Sequence, residues 1–79
     1  MSNTLWSLRE GEAATIDRFA PSLNPVWLRR LKELGFTSGE EVTCVTAPRF
    51  GAPRVYRVGA TFFSVESQIA EQLLVADPA

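Results

Sequence analysis

The 79-residue chain contains no histidine, which removes the commonest general base and the commonest nitrogen ligand for a transition metal. Its single cysteine, Cys44, can make no internal disulfide and fits a reducing compartment. With no CxxC pair and no imidazole to activate it, Cys44 reads as a small buried apolar residue of a strand. Ser7, Ser22, Ser38, Ser64 and Ser67 likewise have no base to pair with. The phosphate-cradling GxxxxGK[ST] sequence is missing, and the five glycines are scattered at turns. The best local pair of carboxylates is Glu40-Glu41, but consecutive side chains on an extended segment point to opposite faces, so a solvated turn is expected. These absences predict no catalytic residues, no bound cofactor and no metal site of the chain's own.

Long apolar runs are absent too. Nothing approaches the roughly 20 residues of a membrane-spanning helix, so no direct membrane insertion is expected. The start, MSNTLWSLREGE, lacks the basic and apolar regions of a signal peptide, which predicts a cytoplasmic protein. Nor is there an excess of one charge: the net charge is −1, too balanced for a general nucleic-acid binder. A single domain is expected, with a core limited by the about 60% of unfolded surface that so short a chain buries. The 46% hydrophobic content is that of a folded globular domain.

The best-formed stretch runs from Pro25 to Pro53. Trp27, Leu28, Leu31 and Leu34 recur at spacings of three and four, predicting an amphipathic helix over 25–34 with an apolar face. Asn24 suits the N-cap and Pro25 the first helical position. Gly35 supplies the left-handed stop, with Phe36 closing back onto Leu31. Thr37-Ser38-Gly39-Glu40 is a turn by composition. Strands are predicted over 12–19, 41–47, 54–58, 61–65 and 73–75, with a brief helix over 66–71 that has Glu66 in its first turn. Gly59-Ala60 makes a hairpin, and Pro48 and Pro53 bracket a loop. The inward face of the first strand is not evident, and Val45 implies either two covered faces or a bulge. Residues 1–8 lack alternation; Leu5, Trp6 and Leu8 are expected to pack on the core without a regular strand. The tail Ala76–Ala79 is expected to fray. Five short strands and one good helix predict an α+β, mainly β chain whose small sheet closes into a barrel.

What remains is surface for a partner. Three groups stand out: Arg29, Arg30 and Lys32 on the polar side of the helix; Arg49 and Phe50 at the loop tip; and Arg54, Tyr56 and Arg57 on the third strand. Arginine and tyrosine are enriched at binding hot spots. Each group has a plainer reading. The helix cations complement the macrodipole, Phe50 caps the barrel end, and the basic residues are scattered solubilising charge.

Leu28-Arg-Arg-Leu-Lys-Glu-Leu-Gly-Phe36, then Gly39, Val42, Ala47-Pro48, Gly51 and Pro53 resemble the pattern of the ferrous iron transport protein A (FeoA) family. That pattern is rRLxxLGhxxGxxhxV, then A-P, G-D-P and a hydrophobic hairpin. Leu8, Gly11 and Ile16 fit its opening; Gly59, Phe63, Val65, Ala70, Leu73 and Val75 fit its hairpin, short helix and last strand. The resemblance covers about residues 5–75. It implies an SH3-like small barrel and a cytosolic accessory of ferrous iron uptake. It also implies a partner, the large FeoB-type membrane permease with its GTP-binding domain. The family's Asp of G-D-P is Ala52 here, the loop after Pro48 is one residue longer, and a position often held by Arg is Glu66. The alternative function is a nucleic-acid-binding small barrel using Arg49, Phe50, Arg54, Tyr56 and Arg57 as a basic-aromatic patch; direct metal carriage is the weakest reading.

Overall fold

The computed structural model describes residues 3–50 and 52–76. Helix α1 (Pro25–Glu33) begins with the Asn24 side chain accepting the Val26 N–H at 2.8 Å, and Pro25 occupies the first helical position. At its other end Gly35 takes a φ of +105°, a conformation that a side chain disfavours. The Phe36 N–H donates to the Leu31 carbonyl at 2.9 Å and the Gly35 N–H to the Lys32 carbonyl at 3.1 Å. Those two bonds are the Schellman stop expected from the sequence. They turn the chain so that Phe36 drops into the core, fully buried.

The sheet is antiparallel throughout. Its strands are β1 (Asn3–Thr4), β2 (Ala13–Phe19), β3 (Glu41–Thr46), β4 (Arg54–Val58), β5 (Thr61–Val65) and β6 (Leu73–Ala76), in the order β1-β6-β2-β3-β4-β5. Five lie where the sequence places them, within a residue at the ends. The sixth, β1, corrects the expectation of an irregular lead-in: Asn3 and Thr4 pair with Val75 and Leu74. Two residues are too few to show alternation, so their partners at the far end of the chain decide the conformation. A turn of 3-10 helix (Leu5–Ser7) follows and buries Leu5.

Two bulges settle the ambiguous faces. In β2 the register with β6 shifts between Ile16 and Arg18, so Ala14 and Ile16 point inward, Asp17 and Arg18 outward, and Phe19 packs back on the core. In β3 the register with β4 shifts between Cys44 and Thr46, leaving Val42 and Cys44 buried and Val45 half-buried. Both match the local kink that one extra residue produces. The β4–β5 hairpin turns on Gly59, at φ +61°, where a tight two-residue loop favours glycine. Helix α2 is shorter than expected, Ser67–Ala70, and Glu66 is its extended N-cap residue, without a side-chain cap bond, rather than part of its first turn. The expected fraying falls mostly on residues 77–79, outside the described ones; Ala76 itself belongs to β6.

The core joins residues from every strand but β1, and from both helices. Leu5, Ile16, Phe36, Val42, Cys44, Tyr56 and Leu73 are its most completely enclosed large side chains. Helix α1 contributes only Leu31 as a fully buried residue. Leu28 is half-buried, while Trp27 and Leu34 remain 41% and 42% exposed. The sheet therefore covers only part of the helix's apolar face.

Candidate partner-binding site

Cys44 sits in the core with no exposed surface, its Sγ donating to the Thr46 carbonyl at 3.7 Å. Burial pushes its thiol up, Glu10 and Glu12 add to the rise, and Arg54 opposes it. Such a thiol stays protonated and poorly nucleophilic at neutral pH. Among the described residues no three carboxylate or cysteine side chains converge as a metal site, and no helix is long and apolar enough to cross a membrane.

The eight surface candidates separate into two kinds. Tyr56 lies in the interior and the half-buried Arg54 is engaged by the segment 5–8, which corrects their placement on a contact patch. Tyr56 is fully buried and its hydroxyl donates to the Leu5 carbonyl at 3.1 Å. The half-buried Arg54 donates through Nη1 to the carbonyls of Trp6 and, at 3.4 Å, Leu8, while its guanidinium lies 3.9 Å from the centre of the Trp6 ring. The carbonyls of the irregular segment 5–8 need donors, and β4 supplies them from the sheet. Nothing in the spacing of Arg54, Tyr56 and Arg57 announces this.

Tyr56 makes the resulting arrangement testable. Burial and the neighbouring Cys44 push its phenol up to about 12, against the pull of Arg54. The unfolded chain loses that proton near pH 10, the folded chain about two units later, so between these values the unfolded state binds fewer protons and stability falls as pH rises. Expected is a loss of at most about 1.4 kcal/mol per pH unit between pH 10 and 12. Thermal unfolding across that window should show the slope in the parent and a flatter one in Tyr56→Phe. Equal slopes would deny the phenol this role.

The other candidates are exposed but not gathered in one place. Arg29, Arg30 and Lys32 stand on α1; Arg57 faces outward from β4, opposite the 58% exposed Phe62 of β5. Arg49 and Phe50 occupy the loop after β3, on which Gly51 lies outside the described residues. Of the two readings of Phe50, the structure takes the exposed one: the ring projects fully into solvent from a residue with φ +65°. A non-glycine residue in that region carries a conformational cost.

A further feature escaped the sequence reading. Between α1 and the β5–α2 corner lies an apolar cleft of about 160 Å³, lined by Trp27, Leu31, Leu34, Phe36, Phe63, Val65 and Ile69 with Ser64 and Glu66. The rings of Phe36 and Phe63 pack 5.3 Å apart in its wall. Arg30 lies 5.6 Å from the Trp27 ring centre. The available signal was the breadth of the α1 apolar face, which Val26, Trp27 and Leu34 extend beyond what one sheet contact covers.

Comparison with known proteins gives a consistent result. Residues 3–77 match the model of the FeoA domain. Stenotrophomonas maltophilia FeoA complexed with zinc, described as a procaryotic SH3 domain protein and proposed bacterial ferrous iron transport activating factor, is similar at 34% identity and a TM-score of 0.83. That similarity covers 94% of this chain and 89% of the other. Chlorobium tepidum FeoA superimposes with a TM-score of 0.87 at 23% identity, over 98% of this chain and 71% of the other. A manganese-dependent transcriptional repressor shares the fold at 18% identity and a TM-score of 0.85; this chain spans 42% of its length. No curated protein matches the chain. A described six-stranded antiparallel sheet with two short helices, an SH3-like relative at 34% identity and a family match across residues 3–77 lead to one assignment: the chain belongs to the FeoA family.

Proposed function

We propose that this FeoA-family chain is a cytoplasmic accessory of ferrous iron uptake that acts by docking on the cytosolic part of a FeoB-type permease. The family match over residues 3–77 carries the reading. The chain's own chemistry supports it: the only thiol is sealed in the core, and the exposed groups are the arginines and aromatics that protein partners engage. Regulation by contact, rather than a reaction or ion carriage, suits those residues.

Binding of the isolated protein to the permease's cytosolic domain, and to the whole permease in membranes, tests the reading. Association is expected in at least one setting; none in either would overturn it. Reversing charge at Arg29 and Arg30 should slow association several-fold at low salt while changing dissociation little, because exposed rim charges act mainly through encounter. Unchanged kinetics would take these two residues out of the contact. The nucleic-acid alternative is weakened, since Tyr56 and Arg54 of its five-residue patch are engaged inside the domain.

A further inference from the structure

The cleft beside α1 is a concave apolar surface with an acidic residue, Glu66, in its lining and a basic one, Arg30, packed on its Trp27. Its floor is the core itself, through Leu31, Phe36 and Val65. Its α1 side leaves Trp27 and Leu34 more than two-fifths exposed. At about 160 Å³ it is well below the several hundred Å³ of a typical small-molecule site. It has room for one large aliphatic or aromatic side chain. The Arg30 guanidinium lies 5.6 Å from the ring centre of Trp27, which lines the α1 side, and Glu66 lines the cleft from the β5–α2 corner.

We propose that this cleft receives a single apolar anchor from a protein partner, with a carboxylate of the partner facing Arg30 and a basic group facing Glu66. The inference rests on the proposed function in taking the permease's cytosolic part as the source of that segment, and adds the chemistry by which it is recognised. The opposite charges select the occupant. A segment acidic on both sides of its anchor meets Glu66, and one basic on both sides meets Arg30; only a segment carrying one of each satisfies both edges. Like charges brought together at an interface work against the wrong partner, which makes this a device for choice as well as for affinity. Buried in such a cleft, the anchor becomes the hot spot and the two charges its rim.

The test is a titration of the isotope-labelled full chain, followed by backbone amide resonances. The probe is the peptide acetyl-Glu-Ala-Ala-Leu-Ala-Ala-Lys-amide, with two twins in which the end residues are both Glu or both Lys. The first peptide should shift the amides of Trp27, Phe63, Glu66 and Ile69, and each twin should bind about fivefold more weakly at low salt. Arg30→Glu should invert the order, preferring the Lys/Lys twin. Leu34→Trp, which fills the cleft from an exposed position, should weaken binding at least about tenfold while leaving thermal unfolding near that of the parent. Phe50→Ser should change nothing. Shifts mapping away from the cleft, or an order of peptides indifferent to Arg30→Glu and Glu66→Lys, would overturn the proposal. So would concentration-dependent self-association abolished by Phe50→Ser and by Leu34→Trp, because the occupant would then be the loop of a second copy. The proposed function fails separately. If the parent binds the permease domain and Leu34→Trp binds it equally well, the cleft assignment falls and the accessory role stands. If the parent binds no permease preparation, the accessory role falls, and the peptide titration still decides the cleft.

Discussion

Phe36→Ala should destabilise the domain by about 3–5 kcal/mol, the range for truncating a buried phenylalanine. The side chain has no exposed surface. It occupies the point where the α1 stop meets the sheet, its ring 5.3 Å from that of Phe63 and tilted by 57°. Removing it costs the transfer of the ring, the aromatic pair and the cavity left behind. The hydrogen bonds on either side hold the backbone in place, so the cavity cannot close: the Phe36 N–H is fixed to Leu31 and the Thr37 N–H to Gly35. In a domain this small each kcal/mol lowers the melting temperature by about 4–8 °C, so the midpoint should drop by more than about 12 °C. Circular dichroism during heating measures it. A double-mutant cycle with Phe63→Ala should return a coupling of about 0.5–1.5 kcal/mol. A loss below about 1 kcal/mol for Phe36→Ala would mean that the helix stop is not anchored in the core.

Arg54→Ala should cost about 2–4 kcal/mol, which is large for a partly exposed side chain. The guanidinium lies over Trp6 and donates to the carbonyls of Trp6 and Leu8, so Arg54, beside the Tyr56 bond to Leu5, helps hold the 3-10 turn against the sheet. Deleting it strips two carbonyls of a charged donor and removes the cation from the ring face. Arg54→Lys should recover less than half of the loss, since an ammonium cannot stack flat on the indole while reaching two carbonyls. Urea unfolding gives both values, with an unchanged m confirming that the native state stays compact. A lysine variant as stable as the parent would show that charge alone, not the planar fork, secures the segment.

These two residues also mark how far the sequence could be read. Phe36 was legible because its role is local: Asn24, Pro25, Gly35 and a 3.6-residue repeat all bear on the same ten positions. The strands over 41–46, 54–58 and 61–65 were legible for a similar reason, β-branched runs punctuated by glycine and proline. Arg54 was not. An arginine opening a strand looks like surface charge, and its acceptors are main-chain carbonyls 46 and 48 positions upstream that no side-chain pattern encodes. The bulge after Ile16 was hidden because a one-residue slip reverses every later facing, and only the β6 partners fix where it falls. The candidate site was half legible. The arginines of α1 and the Arg49-Phe50 tip were found by type, but the cleft depends on how much of the α1 apolar face the sheet covers, which is decided in three dimensions.

The strand order carries a consequence for how the domain assembles. β6, the last strand, lies between β1 and β2, so Asn3 meets Val75 across 72 positions, whereas Val58 meets Thr61 across only three in the β4–β5 hairpin. Between four and five doublings of loop length separate the two closures, about 3 kcal/mol of additional chain entropy. The β3–β4–β5 meander is therefore the natural nucleus and the β1–β6–β2 seam the final step, with a folding rate set by topology rather than by the early-forming helix. A seam zipped last is also the first to part under native conditions, and its amides should exchange with solvent ahead of those in the meander.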